Sequence, residues 1–167
     1  NTLDFMDEAG LGHVGTARSA EEAEKPQFYT IDGPGQSVTV AHIAAADNTN
    51  GIPIPEEAPW SVQMIDIPVI EERARQARAD GADIVVVSIH CCVAEYDTAV
   101  EPYQEEMAQQ LASSGLVDIY VNHHAHVPRP AALLEGGPNG NWMWVAYGMG
   151  NFISNQFRET TESTESS

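Results

Sequence analysis

The chain has 167 residues, 43% of them apolar, and sets 25 Asp plus Glu against 7 Lys plus Arg, for a formal net charge of -18. That length suits one domain with a real hydrophobic core. The charge excludes a DNA- or RNA-binding module, whose phosphate contacts need clustered Lys and Arg, and it disfavours docking on anionic lipid. No run reaches the roughly 18–20 apolar residues of a membrane span.

Taken in chain order, the elements alternate helix and strand signals, the pattern of an α/β layered domain. Asn1 opens directly into helix-like sequence with no leader pattern, which reads as a fragment or a trimmed product. Residues Thr2 to Ala9 are expected to be helical and to stop at Gly10. Leu11 to Gly15 reads as a short strand. Ser19 with Glu22 three residues on is a capping-box pattern for a short helix ending before Pro26. Gln27 to Ile31 and Ser37 to Ala45 read as strands joined by the turn Asp32-Gly33-Pro34-Gly35. Asp47 to Pro59 reads as loop, anchored by Trp60. Asp66 is placed to cap a helix running to about Asp80, with Pro68 tolerated in its first turn.

Ile84 to Ile89 is a continuous apolar run, expected to be a strand covered on both faces. A second helix is expected from about Pro102 to Ser113, with Met107, Ala108, Leu111 and Ala112 as its apolar set. Val117 to Val121 reads as the next core strand. Ala131 to Glu135 and Trp142 to Tyr147 read as a hairpin. Residues 158–167 form an acidic Ser/Thr/Glu tail or linker without core-forming residues.

The chemistry-bearing groups collect after strands, where sites form in open α/β sheets. His90 follows the first core strand. His123, His124 and His126 follow the second. Asn151 follows the last. Imidazole is the commonest metal ligand at physiological pH, and His124 and His126 are spaced to turn toward one ion or two adjacent ones; a polar turn that happens to hold three His is the plainer alternative. Glu95 is either an acceptor for an imidazole N–H or a solvated loop acid. A two-metal site needs a bridging carboxylate, and no Asp is apparent at the site end of a strand, since Asp83 and Asp118 precede theirs. His13 and His42 read as structural. Arg73, Arg75 and Arg78 alternate with acids and read as a solvated helix face.

Cys91 and Cys92 are adjacent, about 3.8 Å apart at Cα, below the usual disulfide span of roughly 4.4–6.8 Å. Free thiols, small apolar packing or zinc ligation beside His90 are all open for the pair.

Three phrases occur in series: Ser88-Ile89-His90 followed by Glu95-Tyr96, Asn122-His123-His124-Ala125-His126-Val127, and Tyr147-Gly148-Met149-Gly150-Asn151-Phe152. Together they resemble the bacterial CapA family of poly-gamma-glutamate capsule synthesis proteins, which look like calcineurin-type metallophosphoesterases. The resemblance spans about residues 2 to 157. It implies a metallophosphoesterase-like α/β/β/α sandwich, present here as its C-terminal portion within residues 1–157. It also implies an extracytoplasmic or cell-surface location.

By the same resemblance His90, His124 and His126 fall where divalent-metal ligands are expected (Mn, Fe, Zn or Mg). His123, Glu95 and Asn151 become candidate catalytic groups. The implied function is capsule biosynthesis with a metal-dependent phosphoesterase-like hydrolase site. The alternative is a non-catalytic accessory in assembly or export of an anionic cell-surface polymer. Implied partners are an anionic polymer or phosphoester substrate, and either a second copy or a missing N-terminal half.

Three departures stand out. The family's Trp-Gly is Cys91-Cys92 here, its Gly before the His run is Asn122, and its Pro within the run is Ala125. The family's earlier Asp, Gly-Asp and Asn-His motifs have no counterpart in this sequence.

Overall fold

The computed structural model of the chain describes residues 2–151. The acidic tail read at residues 158–167 lies outside them. Helix α1 (Thr2–Glu8) and helix α2 (Ala20–Ala23) lead into strands β1 (Gln27–Gly33) and β2 (Gln36–Ala46). After a 3-10 turn at Pro59–Ser61 come α3 (Ile67–Ala79), β3 (Ile84–His90), α4 (Pro102–Ser113) and β4 (Ile119–His123). Strands β5 (Ala131–Glu135) and β6 (Trp142–Ala146) complete a six-stranded sheet in the order β1-β2-β3-β4-β6-β5. The four central strands β2, β3, β4 and β6 run parallel, and β1 and β5 pair antiparallel at the edges.

Local chemistry sets most boundaries. Ser19 accepts the Glu22 backbone N–H, while the Glu22 carboxylate reaches back to the N–H of Arg18 rather than to the cap itself. Asp66 caps α3 by accepting from the Val69 N–H. Gly81, at φ 95°, closes the turn after α3, a backbone state in which only glycine is at ease. In α4 the Glu101 side chain and Gln104 satisfy each other's backbone N–H groups, removing two orphan donors. Strand β4 starts two residues later than the apolar pattern suggests, because Asp118 turns its carboxylate to the Val85 N–H and to Arg78.

The segment Leu11 to Gly15, expected as a strand, is not one. The Gly15 carbonyl accepts the Gln63 N–H at 2.8 Å, and the isolated bridge Thr16 to Val62 falls just beyond the segment. Gly15, at φ 85°, has left-handed rather than extended backbone, which ends a strand there, and it lies close enough to Ala44 that a Cβ would sit 3.2 Å from the Ala44 Cβ.

The core lies on one face of the sheet. Ile70, Ala74 and Ala77 of α3 pack with Met107, Ala108, Leu111 and Ala112 of α4 over Ala41, Ile43, Val85, Val87, Ile89, Tyr120, Met143 and Val145. The expectation that β3 is covered on both faces fails. Val85, Val87 and Ile89 are fully buried, whereas Ile84, Val86 and Ser88 are only half-buried. The reason is topological. The path β2-α3-β3-α4-β4 crosses the sheet in one direction, and crossovers of one hand then place both helices on the same side.

The Arg residues of α3 also differ from the solvated face expected. Arg75 does pair with Glu72 in solvent. Arg78 instead donates to the carbonyls of Leu116, Ala82 and Asp83 and to the Asp118 carboxylate. It fastens the edge of the sheet opposite the histidines.

Candidate metal centre

At the C-terminal ends of the parallel strands a cavity of about 490 Å³ opens. His90, Glu95, His123, His124, His126 and Asn151 all line it, with Asn48, Asn50 and Met149 among the rest of its wall. Three loops bring these groups together from positions up to 61 residues apart in sequence, because parallel pairing aligns the strand ends. His90 and His123 are direct cross-strand partners in the β3–β4 register.

The imidazoles form two pairs. His124 Nδ1 lies 3.3 Å from His90 Nε2, with the rings edge to face at 5.2 Å. His126 Nδ1 lies 3.0 Å from Asn151 Oδ1, and Tyr96 stacks on its other side, centroids 5.2 Å apart at 18°. An amide oxygen can only accept, so this contact places a proton on His126 Nδ1 and turns Nε2 away from Asn151. Glu95 reaches His126 through its backbone carbonyl, 2.6 Å from the His126 N–H, rather than through a carboxylate–imidazole contact.

Burial pulls the His90 imidazole below its ordinary pKa, helped by His124 and His126 and opposed by Asp47. Burial lowers His123 too, with His90 adding to it. Both rings are therefore held neutral at pH 7, the state in which imidazole offers a lone pair. Desolvation also lowers His42, with His123 contributing. His42 thus sits on the same sheet face as the site and bonds Ser88 Oγ at 2.8 Å, although the sequence offers no reason to connect it with the other histidines.

A carboxylate does stand at a strand end, which the sequence reading did not find. Asp47 directly follows β2. Its N–H donates to the His90 carbonyl at 3.1 Å, and its Oδ2 accepts the Cys92 N–H at 2.9 Å. The signal was its place one residue beyond a strand. Only the parallel β2–β3 pairing turns that place into contact with the His90 loop.

Cys91 and Cys92 are bonded to each other across a Cα separation of 3.7 Å. The usual Cα span had argued against that bond, and in this state the sulfurs are not thiolate ligands. Two sequence departures from the family pattern meet here, since the Asn122 amide donates to Cys91 Sγ at 3.2 Å. Cys92 stands where the family has Gly and adopts φ 91°, and His124 adopts φ 95°. Non-glycine residues in this region carry backbone strain, and such strain clusters at functional sites.

A buried network ties the site loops together. Arg129, its side chain 1% exposed, donates to the Asp97 and Ala94 carbonyls, to Gln104 Oε1 at 2.6 Å and to Glu101. Gln104 in turn donates to the Tyr147 carbonyl at 3.0 Å. The loop after β3, the loop after β4 and the end of β6 are thereby held in one frame.

The donor set suits a divalent ion in part. The imidazoles of His90, His124 and His126 are nitrogen ligands of the right chemistry, but among the described residues no three His, Cys, Asp or Glu groups converge closely enough to hold an ion by themselves.

A family model described as bacterial capsule synthesis protein PGA_cap matches residues 1–156. No curated protein matches the sequence. Among solved structures, the sulfate thiohydrolase SoxB from Thermus thermophilus in complex with glycerol shares 23% identity at a TM-score of 0.38. That match covers 72% of this chain and 20% of the other. A Staphylococcus aureus protein described as a candidate 5'-nucleotidase, in complex with alpha-ketoglutarate, shares 14% identity at a TM-score of 0.36. It covers 83% of this chain and 32% of the other. The chain thus spans a fifth to a third of the length of these structures.

Proposed function

This chain belongs to the bacterial capsule synthesis protein family PGA_cap, and on that premise we propose that its histidine cavity is the metal-binding half of a phosphoesterase-like hydrolase site. The observation that carries the reading is the convergence of His90, His123, His124, His126 and Asn151 from three strand ends on one cavity. In this reading His90, His124 and His126 hold a divalent ion (Mn, Fe, Zn or Mg). Once bound, the ion supplies Lewis-acid polarisation of a phosphoryl or acyl oxygen. Asn151 and Tyr96 orient the His126 ring. His123, held neutral by burial, positions the substrate or relays a proton. Glu95 lines the entrance as a further acid–base candidate.

The bare sheet face supports the rest of the proposal. Trp142, Trp144 and Leu133 are 52%, 60% and 44% exposed there. A second sheet, from an N-terminal half or another copy, would bury them, complete an α/β/β/α sandwich over residues 1–157 and bring the missing carboxylate ligands. Substrate is then a phosphoester or an anionic surface polymer, handled outside the cytoplasm. Among the described residues no helix is long and apolar enough to cross a membrane.

The test is metal content and hydrolysis. The chain and its His124→Ala variant are loaded with Mn or Zn, desalted and assayed for retained metal and for cleavage of a phosphodiester. The variant is expected to retain at least about tenfold less metal. Equal retention by both proteins would sink the metal reading. A second reading, a non-catalytic accessory in anionic-polymer assembly, is favoured by the absence of a complete three-ligand cluster among the described residues. Polymer binding that ignores both metal and His124→Ala would support it. With a net charge of -18, such binding needs bridging cations or local cationic patches.

A further inference from the structure

A second cavity, of about 430 Å³, shares no lining residue with the histidine cavity. It opens along β2 where β1 stops, since the first β1 residue, Gln27, pairs with His42 and leaves Ile43 and Ala44 beyond it.

What distinguishes this cavity is its cations. With 25 acids for 7 Lys plus Arg, a basic side chain readily finds an acidic partner. Arg18 pairs with Asp7 at 2.7 Å and Glu22 at 3.1 Å, Arg75 with Glu72, Arg78 with Asp118, and Arg129 with Glu101. Among the described residues, Lys25 and Arg73 are the two cations in no ion pair, and both line this cavity. Arg73 is half-buried, with its pKa pulled down by desolvation and pushed back by the more distant Glu24. A guanidinium carries five N–H donors in a rigid fork shaped for an oxyanion. None of those on Arg73 is spent on a described protein acceptor.

The acids nearby do not cancel this. Glu22 is already held by Arg18 through both oxygens. Glu21 is exposed on the rim, where like charge opposes an extended polyanion more than one compact charge. Gln63 keeps one amide N–H beyond the one given to the Met64 carbonyl, and Trp60 supplies an apolar wall.

We propose that this cavity binds a single compact oxyanion, the carboxylate or phosphate group of a small ligand, gripped by Arg73 and Lys25. The site is independent of the histidine cavity and of any metal there.

Calorimetric titration of the metal-free chain at low ionic strength tests it, with inorganic phosphate in one arm and glutarate in the other. Saturable binding is expected in at least one arm, and the stronger arm identifies the oxyanion. Arg73→Gln is expected to weaken that binding about tenfold or more, as loss of a charge-assisted fork would. Arg75→Gln, which removes one positive charge from the exposed face of the same helix, is expected to leave it unchanged. Lys25→Gln is the second variant, at an exposed position where folding is not at risk, and is expected to weaken binding several-fold. No saturable binding in either arm would overturn the proposal. So would equal losses in Arg73→Gln and Arg75→Gln, the signature of general charge attraction.

Discussion

Arg129 shows how much one side chain contributes to the histidine cavity. Its guanidinium is enclosed, and its donors meet carbonyls from the loop after β3 as well as Glu101 and Gln104 at the start of α4. Replacing one member of a buried charged pair leaves the others unpaired, at a cost of about 3–5 kcal/mol. Arg129→Met keeps most of the volume and loses every donor. It is expected to lower the urea-unfolding free energy by about 3 kcal/mol, the lower end because Glu101 is partly solvated. Glu101→Gln should cost clearly less, since its side chain is 26% exposed. Similar losses in the two variants would place the cost in the Arg129–Glu101 pairing rather than in the donors spent on Gln104 and the loop carbonyls. Asp47 works at the same scale, joining the end of β2 to the loop that begins at His90.

At the scale of elements, the bare face of β2, β3 and β4 carries His42, His90 and His123, each with its pKa lowered first by desolvation. A histidine whose folded pKa lies below its unfolded value binds fewer protons folded than unfolded near that value. Stability from such groups is full above the unfolded pKa, close to 6.5, and is lost as pH falls through the folded pKa. Denaturant midpoints are therefore expected to stay level from pH 8 to 7 and to decline from about 6.5 toward 5, before carboxylates titrate. His42→Gln should flatten part of that decline. A flat profile across the window in the parent chain would show that these imidazoles titrate as they do in water. Divalent metal at the His90 end should move the decline to lower pH, because an ion competes with the proton.

At the scale of the molecule, both helices lie on one face of a six-stranded sheet, and the other face presents Trp142, Trp144 and Leu133 together with half-buried Val86, Ile119 and Val121. The register places Leu133, Trp144, Ile119 and Val86 in one cross-strand row. Contiguous apolar surface of this kind drives association. The 18.1 kDa chain is expected to sediment as concentration-dependent oligomers, and Trp144→Lys with Leu133→Lys to shift it to monomer. A parent chain that stays monomeric at high concentration would argue that this face tolerates water.

Much of this protein is legible in the residues alone. The β–α alternation, the caps at Ser19 and Asp66, the turn at Pro34-Gly35 and the histidines at the ends of β3 and β4 rest on local chemistry that a window of a few residues carries. Their position after parallel strands was enough to nominate His90, His123, His124, His126, Glu95 and Asn151 as one group. Other features depend on strand order and handedness, which no window contains. Asp47 meets the His90 loop only because β2 and β3 are parallel neighbours. Asn122 reaches Cys91 only across the β3–β4 ladder. The apolar run at Ile84 to Ile89 looks the same whether helices cover one face or both; the direction in which the crossovers traverse the sheet decided that. The sequence by itself determined which chemistry the strand ends carry. The tertiary structure decided which of those ends face one another and which face of the sheet is left open, because pairing order is set by contacts between residues far apart in the chain.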